Sequence, residues 1–282
     1  MTQPEKIPFL IKLLDDESET VREALYEQFS YFGPYLTSEL QKVAPTLNED
    51  DKHKIYSLLA HYSSLKLKET WDSWFAIENP DEKLETALGL LAEFQNGFYY
   101  PVKLKESLNT LAAEFLLKHP APDVLQLGNY LFKTKGLMGV PEVDYYQPFN
   151  SNLVYVLQEK KGIPISLACI YMLVGKRLGL RVEGCSYPGH FLARIYHEER
   201  MYLVDCFNGG RFLDEAEVRS LNPDQSGMME EIIFKNPEPE IIIIRVLNNL
   251  IRAYETYHQA HNIELMMDLL KMIQGENPEL ME

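Results

Sequence analysis

The sequence has few cysteines, and they are not spaced for a disulfide framework or a zinc module. Its 282 residues include only three cysteines, namely Cys169, Cys185 and Cys206, and no two of them form a CxxC pair. Disulfide-rich domains and structural zinc sites need denser and more regular cysteine spacing. We therefore expect a protein of a reducing compartment that holds no structural metal.

Positive charge is scarce as well. The chain has 27 Lys and Arg residues against 42 Asp and Glu residues, a formal net charge of -15. Proteins that bind nucleic acid or an anionic membrane need Lys and Arg to replace the counterions of phosphate groups. We expect no nucleic-acid partner and no membrane partner, and instead another protein or a peptide.

Long apolar runs are missing too. The first twenty residues, MTQPEKIPFLIKLLDDESET, are interrupted by charges throughout and do not have the pattern of a signal peptide. The longest apolar run, GIPISLACIYMLVG, is shorter than the roughly 20 residues that cross a bilayer. We therefore expect a cytoplasmic protein.

What the sequence does contain, over its first half, is helical periodicity. Residues 1–48 place apolar side chains at helical spacing on both sides of a polar DDES turn, the pattern of an amphipathic helical hairpin. The stretch LLDDESETVREAL resembles a HEAT repeat, and a plain helical hairpin gives the same pattern. Residues 49–107 continue the helical period, and we expect these helices to pack on the core of the protein.

The pattern changes at Gly162. Residues 165–178 are apolar on every side, which predicts a central helix buried all round. Three strand-like runs come next, RVEGCSY, HFLARIYH and MYLVDCF, and the run GMMEEIIF is a candidate for a further strand. After them, residues 237–282 divide near His261 into two amphipathic helices that resemble a tetratricopeptide-type hairpin, a surface for packing and for partners.

A histidine and an aspartate come together if the last two of the three strand-like runs form a hairpin that turns on Glu198 and Glu199. That register pairs Leu192 with Asp205 and brings His190 onto the same face, whereas a three-residue turn would put His190 and Asp205 on opposite faces. A carboxylate beside an imidazole orients the ring and stabilises its protonated form. Such a pair is one half of a nucleophilic catalytic site.

The other half is a nucleophile at the start of a helix, where the dipole lowers the pKa of a thiol. Ser166 stands in the first turn of the predicted central helix, and Cys169 lies deeper in its apolar run, where we interpret it as a core residue. The segment VDYYQPFNSN precedes this helix. Its Tyr145, Tyr146 and Asn150 either line a substrate cleft or pack the loop under the helix.

Several motifs in this region, in order and spacing, resemble the SirB-type branch of the transglutaminase-like superfamily over residues 108–273. They are GIPISL from Gly162, LGL from Leu178, PGHF from Pro188 and DCFNGG from Asp205. Active members of the superfamily use a Cys-His-Asp triad on a papain-like core. The resemblance implies His190 and Asp205 for two of these roles, and Ser166 as the residue nearest the nucleophile position, whose slot lies between Pro164 and Ser166.

The resemblance also implies an α+β fold: a mainly helical N-terminal half, a core in which a small antiparallel sheet packs against the central helix, and a C-terminal helical hairpin. The expected segments are 1–48, a HEAT-like hairpin; 49–107, helices on the core; 108–236, the transglutaminase-like core; and 237–282, the tetratricopeptide-like tail.

Two functions are consistent with this arrangement of residues in a transglutaminase-like core. The first is a pseudoenzyme without the catalytic cysteine that serves as a protein-interaction or regulatory scaffold. The second is a hydrolase or acyltransferase acting on a peptide or acyl substrate, with Ser166 as nucleophile, His190 as base and Asp205 as the group that orients it. No cofactor is expected, because FNGG after Asp205 precedes no helix with phosphate ligands and the HxxH pair His258 and His261 has too few convergent ligands for a metal.

Overall fold

The structure, a computed structural model, describes residues 3–187, 189–214, 217 and 233–276. The chain forms two compact units. The first consists of Met1–Ala76 and Gly89–Lys103, and the second of Ile77–Leu88 and Leu104–Glu282. The division into four segments made from the sequence stays a prediction. The architecture is α+β and mainly helical, as expected, with a four-stranded antiparallel sheet and a small parallel pair of strands.

The first unit is helical. Its helices are α1 (Gln3–Ile11), α2 (Glu19–Ser30), α3 (Leu36–Val43) and α4 (Glu49–Phe75), together with the end of α5 (Pro80–Asn96). Leu25, Phe29, Leu40 and Ile55 are buried in one apolar cluster, which explains the helical spacing of the apolar residues. The two helices predicted on either side of the DDES turn are confirmed as α1 and α2, whereas their packing as a hairpin and its HEAT ancestry stay predictions.

A capping residue fixes the start of the long helix α4. The side chain of Asn48 accepts a hydrogen bond of 2.7 Å from the backbone N–H of Asp51. Glu49, Asp50 and Asp51 then place negative charge in the first turn, where the helix dipole favours it. Local sequence therefore determines where this helix begins.

The second unit contains the remaining helices and all strands. Its helices are α6 (Leu104–Lys118), α7 (Val124–Asn129), α8 (Leu153–Glu159), α9 (Pro164–Arg177), α10 (Pro239–Thr256) and α11 (Ala260–Glu276). Its strands are β1 (Met138–Gly139), β2 (Lys161–Gly162), β3 (Val182–Cys185), β4 (Leu192–His197), β5 (Arg200–Asp205) and β6 (Arg211–Asp214). A π-helical turn continues α7, and short 3-10 helices lie at 142–144 and 148–151.

Helix α9 is the buried central helix that the sequence predicts. Nearly all of its residues are buried, and it packs against α6, α8, β3 and β4. Pro164 opens it, at a position where the missing N–H of proline costs nothing. Helix and sheet approach closely at Gly175, where a Cβ would lie 2.7 Å from a methyl group of Val182.

The sheet has the strand order β3-β4-β5-β6, with every neighbouring pair antiparallel. The predicted hairpin is confirmed, since His197 pairs with Arg200 and the turn consists of Glu198 and Glu199 with φ angles of 48° and 62°. Positive φ at both central residues belongs to the two-residue turn whose twist matches that of the strands. Most of the candidate strand GMMEEIIF lies outside the described residues, and its last two residues, Ile233 and Phe234, are helical.

The two predicted C-terminal helices are confirmed as α10 and α11, which pack against each other. Helix α10 also packs against the 3-10 helix at 148–151, on the N-terminal side of α9. Lys83 and Glu240 form an ion pair of 2.6 Å that ties the start of α10 to α5 within this unit. Among the helices that the structure describes, none is long and apolar enough to cross a membrane.

Candidate active site

His190 and Asp205 lie in contact. Nε2 of His190 is 2.9 Å from Oδ1 of Asp205, so the contact expected from the hairpin register is confirmed. Asp205 is the last residue of β5, and His190 lies in the turn before β4, where its N–H donates to the carbonyl of Tyr187. Because the carboxylate has no proton to donate, Nε2 carries the hydrogen of a neutral ring, and Nδ1 is the basic atom.

Asp205 is held by more than the histidine. Oδ1 also accepts a hydrogen bond of 3.1 Å from the backbone N–H of Asn208, and Oδ2 accepts one of 2.6 Å from the side-chain amide of Asn208. Burial favours the neutral acid, but the hydrogen bonds from His190 and Asn208 outweigh it and hold the pKa of Asp205 below its ordinary value. The FNGG segment is thus a turn, as interpreted from the sequence, and it fixes an ionised carboxylate.

Sequence reasoning did not assign a role to Asn208. The signal was present, since an Asp followed three residues later by Asn in a glycine-containing turn is a common arrangement for local side-chain hydrogen bonds. With its two donors, Asn208 binds both oxygens of the Asp205 carboxylate and helps to orient it.

Ser166 lies in the first turn of α9, as predicted, but its hydroxyl binds a group other than His190. The side chain is 1% exposed, and Oγ donates a hydrogen bond of 2.8 Å to the backbone oxygen of Asn150. Within the described residues, Ser166 and His190 make no hydrogen bond with each other. The structure brings together the histidine and the aspartate of the expected triad and uses the serine as a buried link between α9 and the loop before it.

Comparison with known proteins gives the family. Residues 102–248 match the model of the transglutaminase-like superfamily, which is slightly more than half of the 282 residues. The chain belongs to the transglutaminase-like superfamily. Its SirB-type branch, and the HEAT-like and tetratricopeptide-like nature of its ends, stay predictions.

Curated relatives match part of the chain. A UPF0162 protein of Xylella fastidiosa is 35% identical over 159 residues, which are 54% of this chain and 56% of the relative. A UPF0162 protein of Vibrio cholerae is 31% identical over 135 residues, 46% of this chain and 44% of the relative. Human F-box only protein 21 is 34% identical over 85 residues, 30% of this chain and 14% of the relative. The chain thus spans about half the length of the UPF0162 relatives. No solved structure matches.

Transglutaminase-like chemistry with a thiol has no support from the three cysteines. All of them are fully buried. Burial raises the pKa of Cys169 to about 12 and that of Cys185 to about 11, and burial together with the charge of Asp205 raises the pKa of Cys206 well above its ordinary value. A thiol is a nucleophile only as the thiolate, so these side chains are inert near neutral pH. The interpretation of Cys169 as a core residue is confirmed.

Asn150 is buried and holds the tyrosine-rich loop. Its side-chain amide donates to the backbone oxygens of Asp144, at 2.6 Å, and of Tyr145, at 3.1 Å. With the bond from Ser166, the chain of contacts runs from α9 through Asn150 into this loop. Asn150 packs the loop under the helix, the second of the two roles considered for it; a cleft role for the group of three stays a prediction.

Of the two tyrosines, Tyr145 is linked to the dyad through the ring of Phe207. The rings of Tyr145 and Phe207 are 6.1 Å apart at their centroids, and the rings of Phe207 and His190 are 6.2 Å apart and perpendicular. Tyr146 stacks edge-on against Tyr145 and is 47% exposed. Phe207 thus lies between Tyr145 and His190. The rings of Tyr145, Tyr146 and Phe207 form one aromatic surface beside the histidine.

Arg245 was also missed by sequence reasoning. Its guanidinium donates a hydrogen bond of 3.4 Å to the backbone oxygen of His190 and lies 5.5 Å from the centroid of the Phe191 ring. It comes from α10, 55 positions further along the chain. Only the packing of α10 on the core brings this charge to the dyad, so no local pattern signals it.

The site offers no evident place for a metal. In the described part of the chain, no three His, Cys, Asp or Glu side chains converge as metal ligands would. The HxxH pair does not lie on one helix: His258 has a φ of 55° in the turn after α10, and His261 lies in α11. Positive φ ends α10 before the motif is complete, so the two histidines do not share a helix face.

Proposed function

We propose that this transglutaminase-like protein has no amide chemistry at its Ser166 position and acts by binding another protein. The observation that carries the proposal is the hydrogen bond from Ser166 Oγ to the Asn150 carbonyl. A serine becomes nucleophilic when a base takes its proton while a substrate reaches its oxygen. Here the hydroxyl donates its hydrogen bond to a backbone carbonyl, and the side chain is buried on all sides.

The other potential nucleophiles support the same conclusion. A cysteine thiol could take the place of Ser166 as the nucleophile of this site. However, the three thiols are buried and their pKa values are raised. The His190–Asp205 pair therefore lacks a protein nucleophile in the arrangement described. What it retains is a polar, half-buried surface with aromatic walls.

The binding part of the proposal is supported by exposed aromatic side chains on the first unit. Aromatic residues are enriched at protein interfaces because they bury much area at a low entropic cost. Those that the first unit exposes by about two-fifths or more are Phe9 at 55%, Tyr31 at 41%, Tyr35 at 39%, Tyr56 at 41% and Tyr99 at 43%. The helical hairpins at both ends of the chain fit the surfaces of helical repeat proteins, which bind partners.

A second candidate is favoured by one observation, the intact His190–Asp205 dyad. It is the serine-variant hydrolase or acyltransferase, with a peptide or acyl substrate. It requires Ser166 to leave the Asn150 carbonyl and approach Nδ1 of His190 when substrate binds. Catalytic hydrogen bonds are often formed only in the substrate complex, so an experiment must decide between the two.

The deciding experiment places a thiol at the position in question. Ser166→Cys is alkylated with iodoacetamide across a pH series, and adducts are located by peptide mass spectrometry. We expect no fast alkylation in the folded protein, because the side chain is buried and directed at Asn150. Fast alkylation at about pH 6 that disappears in the double variant with His190→Ala would show a dyad-activated nucleophile and overturn the proposal. The wild type, with its three buried cysteines, is the baseline.

A second experiment uses the wild-type serine at position 166. A fluorophosphonate probe is expected to leave Ser166 of the wild type unlabelled, and Ser166→Ala is expected to keep the cellular role of the protein. Labelling that depends on His190, or loss of the role in a folded Ser166→Ala variant, would instead support the hydrolase.

A further inference from the structure

Helix α10 carries two arginines on one side, and the first of them, Arg245, contacts the backbone of His190. Arg245 and Arg252 are seven positions apart, which places them on one face, two turns or about 10 Å apart along the axis. Asn248 and Asn249 lie on the turn between them. This face therefore presents two guanidinium groups with amide groups between them.

The charges of these two arginines are not paired within the part of the chain that the structure describes. Among those residues, no carboxylate lies within ion-pair distance of Arg245 or Arg252, as is also true of Arg22 and Arg200, whereas Arg177, Arg181, Arg194 and Arg211 all have one. The chain carries 42 acidic residues against 27 basic ones, so acidic partners are plentiful elsewhere. Burial lowers the pKa of Arg245, because it removes water from around the guanidinium charge.

Both arginines affect the pKa of Tyr145. Burial raises the pKa of Tyr145, the neighbouring Tyr146 adds to this, and the positive charges of Arg245 and Arg252 oppose it. Arg245 itself contacts the His190 carbonyl and the Phe191 ring. Arg245 and the Tyr145 ring thus both lie near His190 in the second unit, and Arg252 follows Arg245 on the same face of α10.

We infer that this surface, formed by Arg245, Arg252 and Tyr145 beside His190, binds carboxylate groups of an extended acidic peptide segment of a partner protein. The inference deepens the proposed binding function and rests on it. Guanidinium groups pair with carboxylates through two parallel hydrogen bonds, and the asparagine amides suit the backbone of an extended chain.

The distance between the two arginines determines how far apart the carboxylates of the peptide segment must be. An extended chain rises about 3.3 Å per residue, so the roughly 10 Å between the arginines corresponds to about three residues. Two acidic side chains three positions apart, or one acidic side chain and a terminal carboxylate, fit both arginines. Exposed Tyr146 and Val143, at 47% and 91% exposure on the adjoining loop, offer contact to an apolar side chain beside them.

A carboxylate fits better than a phosphate. The ionised Asp205 lies next to the site, and a phosphate with about twice the charge of a carboxylate would be repelled more strongly. The protein as a whole is acidic, which adds to that repulsion.

The test is selection from random peptide libraries with the full-length protein. One library has amidated C-termini and one has free C-termini, so that side-chain and terminal carboxylates are distinguished, and a third contains phosphoserine. We expect enrichment of peptides with two carboxylates about three residues apart, and we expect Arg245→Gln and Arg252→Gln each to weaken the selected peptides about tenfold. Arg252 is exposed, so its variant reports on the site even if Arg245→Gln fails to fold.

The matched control is Arg200→Gln. Arg200 is exposed at the turn end of the β4–β5 hairpin, at the opposite end from Asp205, and its removal changes the net charge equally. It is expected to leave affinity unchanged. Enrichment of neutral peptides, a preference for phosphopeptides, equal losses in Arg200→Gln and Arg252→Gln, or no enrichment at all would overturn the inference. None of these results bears on Ser166 alkylation, so the two proposals fail separately.

Discussion

Ser166 and Asn150 are joined by a hydrogen bond of 2.8 Å between two buried groups, although they are 16 positions apart. Ser166→Ala would leave the Asn150 carbonyl without this donor. We expect a loss of about 1–2 kcal/mol in the free energy of unfolding, measured by urea denaturation. Ser73→Ala is the control, because Ser73 donates to its own helix on an exposed face, and it is expected to change stability little. Equal effects of the two changes would contradict the buried role of Ser166.

The ionised state of Asp205 should make stability depend on pH. Its pKa is lowered in the folded protein, so its contribution is fully present above the unfolded-state value of about 4 and is lost as pH falls through the folded value. We expect Asp205→Asn to destabilise the protein by about 1–3 kcal/mol near neutral pH and the difference from wild type to shrink in acid. Urea denaturation at several pH values measures it. Asp72→Asn, an exposed change on α4, should show no such trend.

Asn208 should control the acidity of Asp205. Asn208→Ala removes the side-chain donor to Oδ2 and keeps the backbone N–H that donates to Oδ1. The pKa of Asp205 is therefore expected to rise part of the way toward its ordinary value, as measured by the carboxyl carbon shift in an NMR titration. Asn236→Ala, in an exposed loop, should leave it unchanged. An unaltered pKa in Asn208→Ala would mean that His190 and the backbone N–H of position 208 hold the carboxylate ionised without the side-chain amide.

The cysteines of the folded protein should not react with thiol reagents. Cys169, Cys185 and Cys206 are buried, and burial raises the pKa of each. We expect no modification by a chromogenic disulfide reagent in the native protein at mildly alkaline pH and three modified thiols after unfolding. Rapid native modification of any one of them would reveal an accessible thiolate and reopen thiol chemistry near the dyad.

Two helical glycines should respond in opposite directions to alanine. At Gly175 in α9, a Cβ would lie 2.7 Å from a Val182 methyl group, so Gly175→Ala should destabilise by about 1–3 kcal/mol through overpacking. At Gly89 in α5, nothing lies within 4 Å of the added Cβ, so Gly89→Ala should stabilise by about 0.5–1 kcal/mol. Thermal unfolding of the two variants measures both. A stabilised Gly175→Ala would contradict the close packing of α9 on the sheet.

The sequence by itself determined the helices and the buried α9, and it predicted the approach of His190 to Asp205 for a two-residue turn. These depend on short-range rules: the period of apolar residues, a two-residue turn at Glu198 and Glu199, and the alternation of side chains along paired strands. Once the turn length is set, the register is set with it, and the register places Asp205 opposite Leu192, two residues after His190.

Only the tertiary structure decided where Ser166 points and what stands beside the dyad. The first turn of α9 allows the hydroxyl to reach either a substrate side or the interior, and the choice is made by the Asn150 carbonyl from a separate loop. Arg245 reaches His190 from 55 positions away because α10 packs against the core. The direction of a hydrogen bond and the approach of a distant charge depend on which elements meet in space, and no local pattern contains that information.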